Sequence, residues 1–453
     1  MDCTGDDTIV ALATPPGRGA IAVIRLSGNA AHEIAAGLIH PWPIPTRVST
    51  LAELYSRDGA QLDQAIVTRY DAPRSFTGED LIEIACHGGQ VVPATVMAAV
   101  VASGAREATR GEFTRRAVLN GKLDILQAEA IRDLIDARSR SAQRTALNQL
   151  DGGLSRRVGE LREWLLELEV LIAYDIDFPE EDDGPVAAER IVGAIQKVLV
   201  ALDDLLATAR TGELVREGAL VVIAGAPNVG KSSLFNALLG RRRAIVTDVP
   251  GTTRDALEAV IDAGNWPLRL VDTAGLRTTL DTVERLGIEV SERYLSDADI
   301  VLACGDDQDT LNLAVSASEQ RTTAPVLPVK TKTDQDNGGN TGLGELDGVL
   351  KVSAESGEGL SELLDAVTEI LSRSTQPLDL DAPVLTHVRH RHALIEARKE
   401  LLAFQSARKE VQLPASIAAV HLRAAIHVLE ELIGIVDVED VLDRLFATFC
   451  VGK

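Results

Sequence analysis

The chain has 453 residues, of which 45% are hydrophobic, 25% charged and 3% aromatic, a globular composition that excludes a disordered or fibrous protein. At roughly 150 residues per domain, the length points to about three domains and more than one hydrophobic core. Lys plus Arg number 45 against 68 Asp plus Glu, so the formal charge is −23, the wrong sign for a protein that coats nucleic acid; any RNA partner must be met by a local basic patch.

Met1 to Asp7 lacks a positive segment leading into an apolar one, and no apolar run approaches the roughly 18 residues needed to span a bilayer, which predicts a cytoplasmic protein. Cys3, Cys86, Cys304 and Cys450 lie far apart with no Cys-x-x-Cys pair, so neither a disulfide framework nor a zinc ribbon is indicated.

Residues 1–118 alternate short β-type runs (Ile9 to Ala13, Ala20 to Leu26, Gln64 to Tyr70, Leu81 to Cys86) with Gly/Pro-rich turns and a few helical pieces, an α+β pattern. Residues 119–215 turn to long helices. Leu147, Leu150, Leu154, Val158, Leu161, Leu165, Leu168 and Ile172 recur at spacings of three and four and predict one apolar stripe of a helix bundle, interrupted at Gly152 and Gly153. Pro179 breaks the helix inside the acidic stretch Asp175 to Gly184, which reads as a solvated loop because it lacks the EF-hand order. Residues 216–378 alternate buried-strand runs (Leu220 to Ala224, Leu268 to Val271, Ile300 to Ala303, Val326 to Val329, Leu350 to Val352) with helices, predicting a doubly wound α/β domain with a parallel sheet. Residues 379–453 return to helical periodicity through Leu422, Ile426, Leu429 and Ile433. The expected architecture is therefore an α/β domain inserted into a helical one, behind an α+β N-terminus.

Within the α/β region, Gly225-Ala226-Pro227-Asn228-Val229-Gly230-Lys231-Ser232 matches G-x-x-x-x-G-K-S between a predicted strand and a helix that opens at Ser233. Its glycines let backbone N–H groups wrap phosphates, Lys231 suits the β/γ-phosphates, and the Ser232 hydroxyl suits magnesium. Asp272-Thr273-Ala274-Gly275 ends the next predicted strand, where Asp272 can hold magnesium through its shell and the Gly275 N–H can meet a γ-phosphate. Thr331-Lys332-Thr333-Asp334 ends another strand and places a carboxylate to accept from the guanine N1 and amino hydrogens, a donor pair adenine lacks. Ser353-Ala354 would complete the base pocket. In this order the pieces resemble the G1, G3, G4 and G5 motifs of translation-factor-type GTPases, and Gly251-Thr252-Thr253 fits the G2 position, with Thr253 a second magnesium ligand. One departure stands out: the first G4 residue is usually Asn and here is Thr331, so the tether from base pocket to P-loop must differ.

Leu276 stands where a water-positioning Gln would follow Gly275, so another charge is needed to accelerate hydrolysis. Asn228 and the segment Thr247-Asp248-Val249-Pro250-Gly251-Thr252 resemble the potassium site of GTPases activated by G-domain dimerisation. That resemblance implies Asn228, Thr247, Val249 and Thr252 as potassium ligands and Glu284 as the residue that orients the attacking water.

The flanking segments Ala13-Thr14-Pro15-Pro16-Gly17-Arg18-Gly19, Phe76-Thr77-Gly78-Glu79-Asp80, His87-Gly88-Gly89, Arg110-Gly111-Glu112-Phe113-Thr114, Leu123-Asp124-Ile125 and the terminal Phe449-Cys450-Val451-Gly452-Lys453 resemble the tRNA modification GTPases of the MnmE (TrmE) family over nearly the whole chain. The resemblance implies a homodimer formed through an N-terminal folate-binding domain and a helical domain interrupted by a P-loop GTPase domain. It implies a partner, the FAD protein MnmG, and addition of an aminomethyl or carboxymethylaminomethyl group to the tRNA wobble uridine at position 34 from a 5-formyl- or 5,10-methylene-tetrahydrofolate. The folate residues it implies are Arg25, Glu83, Lys122 and Lys453. A ribosome-assembly GTPase would share the P-loop but usually carries a basic KH-type domain, which this acidic chain does not offer. The local basic candidates for tRNA are Arg389-His390-Arg391-His392 and the set Arg106, Arg110, Arg115 and Arg116.

Overall fold

The computed structural model describes residues 7–177, 188–241, 257–264, 266–273, 290, 292–335, 348–375, 379, 381–409, 415–436 and 439–452. The chain divides into two compact units, Met1–Arg132 with Glu430–Lys453, and Asp133–Leu429.

The first unit is built on a seven-stranded sheet of β1 (Ile9–Leu12), β2 (Ile21–Ser27), β3 (Ile39–His40), β4 (Thr50–Tyr55), β5 (Gln61–Tyr70), β6 (Leu81–His87) and β7 (Arg106–Glu107), in the order β3-β4-β5-β6-β2-β1-β7. All pairs are antiparallel except β1 with β7. Period-two alternation sorts the faces: Ala22, Ile24 and Leu26 of β2 and Ile82, Ile84 and Cys86 of β6 are buried under the helices Ala31–Leu38 and Val91–Ala102. Arg25 and Glu83, opposite in register, fall on the other face. The tail is part of this unit. Val451 bridges Arg110, the Gly111 N–H donates to the Cys450 carbonyl at 3.2 Å, and Phe446 and Phe449 pack beside Ile125 and Ala128.

An ion network closes the β1 end of this unit. Arg116 meets Asp7 at 2.6 Å, Glu112 at 3.1 Å and Glu79 at 3.2 Å, while Arg106 meets Glu112 and Asp7, each at 2.7 Å. Arg115 pairs with Asp443 at 3.2 Å. Arg106, Arg115 and Arg116 of the expected basic set are therefore engaged by carboxylates, while Arg110 is exposed. In the other basic run His390 is fully buried against His387, while Arg391 and His392 are exposed.

In the second unit the helix Gly153–Asp177 packs on Ala188–Ala207, which packs on Val388–Lys409, so helical stretches before and after the sheet meet. Leu154, Val158, Leu161, Leu165, Leu168 and Ile172 form the buried stripe. Leu147 does not join it and is exposed, because the preceding helix Arg140–Leu150 ends at Asp151 and Gly152 and a separate helix starts with a new phase. Of the acidic stretch Asp175 to Gly184, expected as a loop, Asp175 to Asp177 continue the helix Gly153–Asp177, and the remainder lies outside the described residues.

The second sheet comprises β8 (Ala219–Gly225), β9 (Leu257–Ala263), β10 (Trp266–Asp272), β11 (Ile300–Gly305), β12 (Val326–Lys330) and β13 (Leu350–Lys351), in the order β13-β12-β11-β8-β10-β9. It is parallel except for β9, which runs antiparallel to β10 at the edge and corrects the all-parallel expectation. Strand β8 lies between β11 and β10, so the order reverses there and a crevice opens at the carboxyl ends of the strands. Among the described residues, no helix is long and apolar enough to cross a membrane.

Candidate functional site

Strand β8 delivers Gly225 into that crevice. Gly225 has φ +148°, and a Cβ there would run into the Cys304 carbonyl oxygen on β11, so only glycine lets the loop leave the strand. Behind the loop, burial pushes the Cys304 thiol up to about 12 and keeps it an inert packing group. The loop ends at the helix Lys231–Arg241, whose first N–H groups and dipole face the crevice.

Lys231 is 95% buried (5% exposed), and its Nζ donates to the Ala226 carbonyl at 2.7 Å, which curls the side chain back over the loop. The Ser232 hydroxyl donates to Asp272 Oδ2 at 2.6 Å. Asp272 is fully buried at the end of β10. Two hard oxygens thus converge from a helix start and a strand end, a donor set that fits magnesium. Thr273 is turned inward, its hydroxyl donating to the Ile223 carbonyl at 2.9 Å. A cavity of about 440 Å³ lies over this loop, walled by Asn228, Gly230, Lys231, Ser232, Ser233, Thr273 and Lys332.

An adjoining cavity of about 140 Å³ shares Gly230, Ser233 and Lys332 with the first, and its further walls include Thr331, Asp334, Val352, Ala354 and Glu355. Ser353, fully buried, donates from its hydroxyl to Asp334 Oδ1 at 2.6 Å and fixes that carboxylate. Thr333 begins a single 3-10 turn, Thr333–Gln335, that presents Asp334. Thr331 is buried, and its hydroxyl donates to the Val229 carbonyl in the P-loop. A short hydroxyl therefore makes the tether between base pocket and P-loop that the longer Asn would make. A slightly larger cavity, about 470 Å³ beside Arg216, Glu217 and Glu258, has four carboxylates among its walls against three guanidiniums and is the poorer host for phosphate.

The structure brings together Asn228, Val229, Gly230, Lys231, Ser232, Ser233, Asp272, Thr273, Thr331, Lys332, Thr333, Asp334, Ser353 and Ala354 around these two cavities. Thr247, Asp248, Val249, Pro250, Gly251, Thr252, Thr253, Ala274, Gly275 and Glu284 lie outside the described residues. Asn228 has φ +64°; its backbone carbonyl accepts from Lys332 Nζ at 2.6 Å.

On the first unit's open sheet face, Arg25 Nε donates to Glu83 Oε1 at 2.9 Å and its guanidinium lies 5.5 Å from the Phe76 ring centre. The Tyr70 hydroxyl approaches Glu83 Oε2 at 3.4 Å. Burial, and then the Glu83 charge, raise the Tyr70 phenol above its usual range. Lys122 reaches the same loop from the other side, donating to the Pro73 carbonyl at 3.0 Å and flanking Gly78. A paired carboxylate and guanidinium beside two aromatic rings fit the edge and face of a polar heterocycle. Lys453 lies outside the described residues. His87 is held at the end of β6 by Asp63, 2.8 Å from its Nδ1.

Comparison with known proteins adds the following. Residues 125–450 match the MnmE helical domain, and residues 8–122 match the GTP-binding protein TrmE N-terminus. The chain is 40% identical over 449 residues to the tRNA modification GTPase MnmE of Aquifex aeolicus, covering 99% of this chain and 100% of that one. It is 42% identical over 467 residues to the same-named protein of Moorella thermoacetica, again covering 99% of this chain and 100% of that one. Among solved structures it is similar to the G domain of the T. maritima FeoB iron transporter, at 26% identity and a TM-score of 0.27, covering 34% of this chain and 99% of that one.

Proposed function

The chain belongs to the tRNA modification GTPase MnmE family, a GTP hydrolase of tRNA modification, and from that membership we propose that it works with MnmG to modify the wobble uridine at position 34. GTP occupies the two joined cavities, phosphates on the P-loop and guanine against Asp334. The observation that carries the nucleotide reading is that the P-loop cavity and the cup in which Ser353 fixes the Asp334 carboxylate share the walls Gly230, Ser233 and Lys332. That carboxylate accepts from the guanine N1 and 2-amino hydrogens, while adenine offers no such pair.

Ser232 and Thr253 would hold magnesium directly, with Asp272 orienting its shell. When bound, magnesium would supply positive charge to offset the negative charge developing on the phosphate oxygens. Lys231 adds a fixed positive charge at the phosphates. In our reading Asn228, Thr247, Val249 and Thr252 hold potassium at a G-domain dimer and Glu284 orients the attacking water. The support for Asn228 is that its carbonyl is engaged by Lys332 while its exposed side-chain amide remains available. Arg25, Glu83, Lys122 and Lys453 hold the tetrahydrofolate that supplies the one-carbon unit, in a homodimer assembled through residues 1–118. The GTPase domain, 216–378, interrupts the helical residues 119–215 and 379–453, and the protein works in the cytoplasm.

The test is nucleoside mass spectrometry of tRNA from cells lacking the gene, then complemented with the intact gene or with Asp334→Asn. Loss of the carboxymethylaminomethyl-type wobble uridines, restored by the intact gene alone, is the expected result. Unchanged nucleosides in the deletion refute the substrate.

A further inference from the structure

Strand β11 ends at Gly305, where a Cβ would run into the Leu311 N–H, so the following helix starts at once and without a side chain at that corner. Two aspartates stand in the gap, and their work is divided. Asp307 caps the helix Gln308–Glu319: its Oδ1 accepts the Thr310 N–H at 2.8 Å, and the Thr310 hydroxyl returns to the Asp307 N–H at 3.2 Å. Asp306 reaches the segment after β12 with its Oδ2, 2.8 Å from Lys332 Nζ, while its Oδ1 lies 3.4 Å from the Thr310 hydroxyl of that cap.

The same ammonium donates to the Asn228 carbonyl at 2.6 Å. Lys332 and Asn228 both hold left-handed backbone conformations, φ +55° and +64°, which residues with a Cβ seldom adopt without outside support. The ammonium thus staples two strained backbone positions together, and Asp306 holds the staple. Lys332 is also a wall shared by the two joined cavities. The Lys332 hydrogen bond, outweighing partial burial, keeps the Asp306 carboxyl below the ordinary range, so Asp306 is ionised at neutral pH.

We propose that Asp306 is a positioning residue for nucleotide binding and hydrolysis: it fixes Lys332 against the P-loop and thereby sets Asn228, linking the guanine cup to the cation site. The inference rests on the guanine-nucleotide reading above. Nothing in the sequence motif marks Asp306, because it lies outside all of the G motifs and meets them only through the sheet.

The full chain carrying Asp306→Ala, Asp306→Asn or Asp306→Glu is assayed for release of a fluorescent GDP analogue and for hydrolysis against potassium concentration. A charge-assisted bond to a one-third-exposed pair predicts release about tenfold faster in Asp306→Ala. The potassium concentration for half-maximal rate rises as well, and Asp306→Glu recovers most of both effects. Asp306→Asn, which keeps the volume and loses the charge, falls between them and stands in if the alanine variant does not fold. Release within twofold of the intact protein, at unchanged melting temperature, overturns the proposal, as does a Glu variant no better than Ala. Asp334→Asn run in parallel separates the two ideas. If it still prefers GTP over xanthosine triphosphate, the guanine reading fails, while the Asp306 release ratio is judged by itself.

Discussion

Replacing Thr331 by Val removes one hydroxyl and leaves the shape of a buried side chain nearly unchanged. Thr331 has a single hydroxyl hydrogen and two carbonyls in reach, Val229 and Gly305. The Gly305 carbonyl already accepts the Thr331 N–H at 2.9 Å, so the hydroxyl serves Val229. Loss of one buried hydrogen bond, with its acceptor left behind, costs about 1 to 2 kcal/mol. Spread over a GTPase domain of roughly 150 residues, that lowers the melting temperature of the nucleotide-free protein by about 3 to 6 °C. If the tether also sets the P-loop for phosphate, GDP affinity drops up to about tenfold, since 1.4 kcal/mol is one decade. Calorimetric melting and fluorescent-GDP titration of Thr331→Val and Thr331→Ser give the answer. Ser keeps the hydroxyl and should restore both quantities. A Val variant that melts and binds like the intact protein refutes the tether.

Three further outcomes are expected. Gly225→Ala forces a Cβ into the Cys304 carbonyl at an already left-handed φ, and equilibrium dialysis should find nucleotide binding abolished; binding within threefold of the intact protein refutes the close approach. Burial pushes the Glu112 carboxyl up, but Arg106, the Thr109 N–H and Arg116 outweigh it and hold it below 4.5, its unfolded value. A depressed folded value stabilises the first unit above about pH 4.5 and loses that contribution as pH falls through the folded value. Protection of the β1 amides, taken relative to their intrinsic exchange rates, should therefore fall on acidification, and Glu112→Gln should be less protected at neutral pH and less dependent on acid; an unchanged acid profile counts against the network. Glu83→Ala strands Arg25 and deletes the carboxylate at the heterocycle edge, so tetrahydrofolate binding by calorimetry should fall at least tenfold with GTP hydrolysis unchanged. Retained folate affinity removes that site from the reading.

How far the sequence was legible follows from how local each signal is. Runs such as Leu81 to Cys86 and Ala20 to Leu26 were read within a residue of their observed ends, because their burial alternates and glycine or proline bounds them. Strand β4, Thr50–Tyr55, was missed: Thr50 and Glu53 interrupt its apolar run, and it becomes a strand by pairing with β5. Strand β9 was missed for a related reason, since Glu258 and Asp262 hide a run that holds together against β10. The helical stripe was read one helix too early, at Leu147, because a period of 3.6 carries no information about the phase jump at Gly152.

The site divides along the same line. Lys231, Ser232, Asp272 and Asp334 sit in short motifs whose spacing is fixed by strand-to-helix turns, so their neighbours along the chain reveal them. Partners that arrive through the sheet leave no such trace. Asp306 reaches Lys332 because β11 lies beside β12 in register Gly305 to Lys330, and Val229 meets Thr331 because β8 lies beside β11. Likewise the charge of Arg116 promises a cationic surface until Asp7 and Glu79, distant in sequence, join Glu112 one helical turn away around it. A charged residue's sequence neighbours state what it can offer, and only the fold states whether that offer is already taken. In this chain of formal charge −23, Lys231 and Lys332 are both held by carbonyls of the P-loop itself, those of Ala226 and Asn228, so the fold and not the sequence spacing sets where their ammonium groups stand beside the phosphate cavity.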